Sequence, residues 1–408
     1  MSDLRVTQLD SGLTVATEHV PGTRSVAAGI WVGIGARDEP SDLGGASHFL
    51  EHLLFKGTPS RSALDISRTV DRHGGDINAF TTKEYTAYYC RLPSRHASTA
   101  IDLLGDVVTS PALRDEDVET ERQVILEEIA MDDDSPDDVA HRVFGEQMFP
   151  DHPLGRDTAG SRESVTAIAA DQVRTFFDEG YRAGAMYASV ASPLAHDEML
   201  AMTARAFGRV HPGGGTPPRF DPDGVAGDRT VDDDTEQVQL VLGGRAFDRA
   251  DPDREALDVV NHVLGGGLSS RLFEEIRERR GLVYSVYSSL ALYSDCGVWT
   301  VSAGAQPQHA EPVLALIRAE LDKLVTGGIT DDELDIAVGS LTGTFELGLE
   351  DTGSRMARNA GLLCTRGEIM PIAEQVARWQ AVDQAAVRRV IERVYRSEPI
   401  LVTVGPLQ

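Results

Sequence analysis

Residues 45–58 read GASHFLEHLLFKGT, and His48-Phe49-Leu50-Glu51-His52 inside them sets what the surrounding fold has to hold. Helical residues four apart lie one above the other on the same face, and a residue three on joins them. On a helix this stretch therefore gathers two imidazoles and one carboxylate. Zinc uses such a set: two neutral ring nitrogens as ligands at about 2.0 to 2.1 Å, with a carboxylate left unligated beside the water that the ion acidifies. The order inverts the commoner His-Glu-x-x-His. Ser41-Asp42 offers an N-cap, Phe49, Leu50, Leu53, Leu54 and Phe55 make the segment apolar almost all round, and Gly57 ends it. Such a helix is buried, and three ionisable groups on it are costly unless a metal or tight pairing compensates. A satisfied, hydrogen-bonded core cluster is the competing explanation.

A catalytic zinc site takes three protein ligands and keeps its fourth position for water. The third is expected within residues 115–131, where Glu121, Ile125 and Glu128 fall at i, i+4 and i+7 on one face of a helix that Asp115 can cap. Glu119, Glu121, Glu127 and Glu128 also read as a solvated acidic face. Spacing alone does not choose among them.

Further stretches make a resemblance specific. Residues 45–58, 75–81 (GDINAFT), 121–128 (ERQVILEE), 152–155 (HPLG) and 265–284 (GGGLSSRLFEEIRERRGLVY) resemble the pitrilysin family of inverted-zincin metallopeptidases. Within it the chain is similar to the short bacterial members related to the catalytic subunit of mitochondrial processing peptidase, over residues 9–404. The resemblance implies one Zn2+ per chain held by His48, His52 and Glu128, with Glu121 beside a ligand or the water to orient it. It implies Glu51 as the base that takes a proton from the zinc-activated water and returns it to the leaving amine. Arg277 and Tyr284 match a segment that reaches the zinc site and binds the developing oxyanion. Asn78, Ala79, Phe80 and Thr81 match an edge strand to which an extended peptide adds by main-chain hydrogen bonds. Without the resemblance, Arg277 reads as an exposed helix residue, Tyr284 as a strand core residue and 78–81 as an ordinary hairpin edge.

The chain of 408 residues, 41% hydrophobic, is too long for one ordinary domain. Its formal net charge of -27 argues against nucleic acid or anionic membranes as partners. An acidic cavity would favour basic peptides, and solubility or adaptation to salt explains the charge equally well. No apolar run reaches a membrane span, and the first twenty residues are too polar and acidic for a targeting peptide, so a cytoplasmic protein is expected. Cys90, Cys296 and Cys364 lack metal spacing and carry no expected chemistry.

The Pro- and Gly-rich residues 211–228 (HPGGGTPPRFDPDGVAGD) divide the chain, giving a catalytic domain 1–210, a linker 211–229 and a second domain 230–408. A shift of 210 sets Asp258, Asn261 and His262 opposite His48, Glu51 and His52. A shift of 216 sets Ala337 and Thr344 opposite Glu121 and Glu128. We read a duplication whose second copy has lost its ligands. In each half, strands (24–32, 86–92 and 186–191; 237–242, 282–290, 298–303 and 400–404) accompany helices (42–56, 62–74, 95–109, 115–131 and 162–179; 254–265, 269–279, 309–325 and 331–349). The expected class is α+β: two homologous domains, each a mostly antiparallel sheet with helices packed on one face. The resemblance adds a clam-shell arrangement.

The expected function is a zinc-dependent endopeptidase acting on unfolded peptides or presequence-like segments. One chain carries both the zinc motif and the Arg277/Tyr284 segment, and two copies would match the four domains of larger relatives, so a homodimer is expected. The alternatives are a non-catalytic assembly or core subunit of the same fold, disfavoured by the intact motif, and a zinc enzyme of small metabolites, disfavoured by the strand-like 78–81 segment.

Overall fold

The computed structural model describes residues 3–406. Two sheets organise them. The first contains β1 (Asp3–Gln8), β2 (Thr14–His19), β3 (Ser25–Val32), β4 (Asp76–Thr81), β5 (Thr86–Pro93) and β6 (Met186–Ser192), in the order β1-β2-β6-β3-β5-β4. The second contains β7 (Arg229–Asp232), β8 (Val238–Ala246), β9 (Val283–Leu292), β10 (Gly297–Ala305) and β11 (Ile400–Gly405), in the order β7-β11-β8-β10-β9. With β1 set aside the two orders are the same. Each sheet is antiparallel except for one pair at the same place, β2 with β6 and β7 with β11. The repeat, faint as sequence identity, is plain as topology.

Strand alternation explains how each sheet is covered. Val26, Ala28, Ile30 and Val32 of β3 enter the main core with Phe49, Leu50, Ile101 and Leu104, while Ala27 and Trp31 point to the opposite face. There Met356 and Ala360 of the helix Thr352–Arg366 cover them. Gly29 admits this helix: a Cβ at that position would lie 2.3 Å from the Met356 sulfur. The docking is also polar. Glu18 on β2, 3% exposed, accepts from Arg355 Nη1 at 2.5 Å and Asn359 Nδ2 at 2.7 Å, so its buried charge is paired.

The second sheet repeats the device. Val241, Val298 and Val402 pack with Val139, Ala140, Val143 and Phe144 of the helix Pro136–Met148. Gly243 of β8 makes similar room: a Cβ there would lie 2.7 Å from Phe144. Helices therefore lie mainly on one face of each sheet, as expected, with a single helix on the other.

That single helix comes in each case from the opposite half of the sequence. One compact unit runs up to Ile129 and adds Arg156–Pro218 and Gly348–Ile369; the other contains Ala130–Gly155, Arg219–Leu347 and everything from Met370 on. Boundaries at 210 and 230 separate the sheets, and residues 211–228 contain neither helix nor strand. They do not separate the compact units. An apolar helical stripe shows that a helix needs a partner surface, not which sheet supplies it.

Ala63–His73, Ala97–Thr109 and Asp115–Asp133 form within a few residues of their expected spans. The helix expected over 162–179 breaks into Arg162–Ala167 and Ala170–Gly180. Asp115 is the first residue of its helix rather than the cap, and its carboxylate pairs with Arg174 at 2.8 Å.

Candidate metal centre

The motif forms the helix Ala46–Leu53, continued by the 3-10 turn Leu54–Lys56 and ended at Gly57. Its start differs from the expected Ser41-Asp42 cap. Those residues form a separate 3-10 turn, and the N-cap is Gly45, whose φ of 95° suits glycine and whose Cβ would meet the Ala159 carbonyl at 2.5 Å. Glu39 performs the capping from outside the helix. Its carboxylate accepts from Gly45 N–H at 2.8 Å and Ser47 N–H at 2.7 Å, so two orphan donors at the positive end of the helix are satisfied. Nothing periodic marks Glu39 in the sequence.

Burial pushes Glu39 up to about 7 against the pull of those two donors. A carboxyl whose folded pKa exceeds its unfolded value binds more protons when folded, so stability falls as pH rises from about 4.5 to about 7. The full span corresponds to about 3 kcal/mol. Glu39→Gln is expected to flatten this part of the profile in urea unfolding at pH 5 and 7.5. The same decline in both proteins would remove Glu39 as its source.

His48, His52 and Glu128 converge. Glu128 Oε2 lies 3.7 Å from His48 Nε2 and 3.4 Å from His52 Nε2, and one ligand atom from each residue falls within 4.8 Å of the other two. Both contacts are too long for hydrogen bonds. Tetrahedral ligands about 2.0 to 2.1 Å from zinc stand about 3.4 Å from one another, so the two separations from Glu128 suit such an ion and the group could hold one. Burial lowers the His48 imidazole to about 4, which keeps its ring neutral and able to donate a lone pair across the neutral range. His48 Nδ1 is buried with no hydrogen-bond partner among the described residues. His52 differs: its Nδ1 lies 3.2 Å from Glu121 Oε2, which leaves Nε2 facing Glu128.

Glu51 stays out of the cluster of donors. Thr81 Oγ1 donates to Glu51 Oε2 at 2.6 Å, and burial raises the carboxyl above its ordinary range. Thr81 ends β4, and no strand pairs with the outer side of β4 among the described residues. The segment expected to receive an extended chain is thus an edge that also touches the expected base. Phe80 is 38% exposed, and its ring meets Trp31, Tyr85 and Tyr89 at centroid distances of 6.0 to 6.4 Å. Asn78 Oδ1 accepts from Ala79 N–H at 2.9 Å.

Comparison with known proteins now places the chain. Residues 14–162 match the insulinase model of peptidase family M16, and residues 167–341 match the peptidase M16 inactive domain. A Streptomyces coelicolor protein named an uncharacterized zinc protease is 43% identical over 99% of this chain and 90% of its own. The chain belongs to peptidase family M16. YmxG of Bacillus subtilis, also named an uncharacterized zinc protease, is 33% identical across 97% of both chains. Among solved structures, a Helicobacter pylori protease superposes with a TM-score of 0.93 at 23% identity, covering 100% of each chain. A peptidase M16 inactive domain from Pseudomonas fluorescens also gives 0.93, at 19% identity, covering 100% of this chain and 98% of its own.

The second half of this M16 chain shows what replaced the ligands. The helix Arg254–Asn261 corresponds to the motif helix, but Asp258, opposite His48, accepts from Trp379 Nε1 at 3.1 Å. Asn261, opposite Glu51, lies against β9, its carbonyl accepting from Ser288 Oγ at 2.9 Å. Arg277 and Tyr284 belong to the same unit. The Arg277 guanidinium sits 4.6 Å from the Phe273 ring and 5.2 Å from the Tyr284 ring, and Tyr284 is 83% exposed. Tyr284 is therefore not the core residue that strand periodicity alone suggests. No helix of the described residues is long and apolar enough to cross a membrane.

Proposed function

We propose that the chain is a zinc-dependent endopeptidase, and the observation that carries this reading is the convergence of His48 and His52 on Glu128 Oε2, 3.7 and 3.4 Å from their Nε2 atoms, with one donor of each residue within 4.8 Å of the others. Family membership and relatives named zinc proteases support it. Zinc held by these three residues would supply Lewis acidity toward a peptide carbonyl and toward a water molecule. The remaining work belongs to the chain. Glu51 is unligated, and its raised pKa brings it closer to the pH at which a group both takes and returns a proton. Thr81 orients one Glu51 oxygen and leaves the other for the attacking water. The β4 edge offers unpaired main-chain groups to an extended peptide, a geometry that selects unfolded segments over packed ones.

Arg277 and Tyr284 are assigned to the developing oxyanion, the cation and phenol that such a charge calls for. Tyr284→Phe removes one hydroxyl. If that hydroxyl acts on the transition state, kcat is expected to fall about tenfold to a hundredfold with KM little changed. Unchanged kcat would exclude Tyr284 from the chemistry.

The reading is tested by digesting a random peptide pool with the purified chain, with the same chain after chelation, and with the chelated chain resupplied with zinc. Mass spectrometry should show internal cleavages that disappear with chelation and return with zinc. Cleavage indifferent to chelation, or none with zinc bound, would overturn it. A non-catalytic subunit of the same fold has no use for the three donors brought together here.

A further inference from the structure

Lys56 places a positive charge beside the candidate metal centre. His48, His52 and Lys56 follow one another at i, i+4 and i+8, so Lys56 continues the stripe of the two imidazoles along the motif helix and its terminal turn. Its side chain is 36% exposed, and its ammonium is turned to a carboxylate. Lys56 Nζ lies 2.5 Å from Glu121 Oε1, and the other oxygen of that carboxylate lies 3.2 Å from His52 Nδ1. Glu121 is 2% exposed.

We propose that Lys56 is a positioning residue for the metal centre: it holds one oxygen of Glu121 so that the other is aimed at His52 Nδ1, which fixes the ring whose Nε2 faces Glu128. The terminal torsion of a glutamate is broad, so a carboxylate fastened at one oxygen alone does not define the direction of the second. The ammonium supplies the missing anchor and also pairs a charge that would be costly to bury alone. Partners behind a ligating histidine set its tautomer and ring orientation, and Lys56 acts one step behind such a partner. The degenerate half supports the linkage. At the shift of 210 that sets Asp258 and His262 opposite His48 and His52, Gly266 stands opposite Lys56, and at the shift of 216 that sets Thr344 opposite Glu128, Ala337 stands opposite Glu121. The copy that has lost the counterparts of His48 and Glu128 also lacks the ammonium and the carboxylate, although it keeps His262.

The inference rests on the reading that His48, His52 and Glu128 hold zinc, and a double-mutant cycle separates the two. Zinc affinity would be measured by chelator competition on the full chain for wild type, Lys56→Met, Lys56→Arg, Glu121→Gln and the Lys56→Met/Glu121→Gln pair, with the melting temperature of each metal-free protein. Lys56→Met is expected to weaken zinc about tenfold, and Lys56→Arg to restore it to within about threefold. In the Glu121→Gln background the Lys56 change should have no further effect, because its action passes through that carboxylate. A purely structural lysine would lower the metal-free melting temperature and leave zinc affinity unmoved. Wild-type affinity in Lys56→Met, or an equal loss with and without Glu121, overturns the inference. Lys56→Gln serves the same comparison if the Met variant does not fold. A wild-type chain that takes up no zinc would overturn the metal-centre reading instead.

Discussion

Glu51→Gln is expected to keep one zinc per chain while kcat falls on the order of a thousandfold. The two halves of that expectation rest on different geometry. Metal retention follows because Glu51 is turned to Thr81 and lies outside the group of His48, His52 and Glu128. The loss of rate follows because an amide of nearly the same shape can accept the Thr81 hydroxyl but cannot take a proton from water. Zinc content by atomic emission and peptide hydrolysis under saturating substrate measure the two separately. If the variant cleaves at near wild-type rate, another group is the base. If it loses zinc, Glu51 is a ligand and the donor set has been misassigned.

Residues 1–210 alone are expected not to fold stably, although the sequence reads them as one domain. Truncation there removes the helix Thr352–Arg366, leaving Ala27, Trp31 and Ala191 on a bare sheet face and Glu18 without Arg355 and Asn359. Returning such a face to water forfeits about 1.5 to 3 kcal/mol for each large apolar side chain it had buried, several kcal/mol in all. That is comparable with the whole stability of many domains. Circular dichroism and dye binding should report a loosely packed or aggregating fragment that takes up zinc poorly. Fusing residues 348–369 to its C-terminus should recover a cooperative melt. Cooperative unfolding of the bare fragment near the full-length midpoint would show that the exchanged helix is dispensable.

The metal centre was more legible than the fold around it. Helical periodicity alone brings His48, Glu51 and His52 together, because all three lie on one short element. The third ligand is a different kind of problem. Glu121 and Glu128 share a face of the helix Asp115–Asp133, and what tells them apart is where that helix meets the motif helix: Glu121 at the Nδ1 side of His52, Glu128 at the Nε2 nitrogens of both rings. Such a contact depends on interhelical geometry, which spacing within one helix does not encode, so resemblance had to select Glu128. Glu39 was out of reach for a related reason. It lies six residues before Gly45, the N-cap of the helix it caps, in a segment without a local capping pattern. The exchange of Pro136–Met148 and Thr352–Arg366 was hidden because a linker rich in Pro and Gly marks where the chain is unstructured, and the packing of the helices on either side follows from shape.

The reciprocal loan of helices also sets a clock on biosynthesis. Glu18 waits for Arg355 and Asn359, which leave the ribosome more than three hundred residues later. At about 5 to 20 residues per second, the stretch between Ile129 and the end of the Thr352–Arg366 helix takes roughly 12 to 50 s to make. Through that interval His48, His52 and Glu128 exist in a chain whose outer sheet face lacks its covering helix, so the candidate metal centre is expected to mature only after residue 366 has been made. The nascent chain is thereby expected to expose an apolar sheet face until that helix arrives. Chains stalled on the ribosome before and after residue 400 should differ accordingly in protection from added protease, and equal protection would mean that the first unit closes without the borrowed helix.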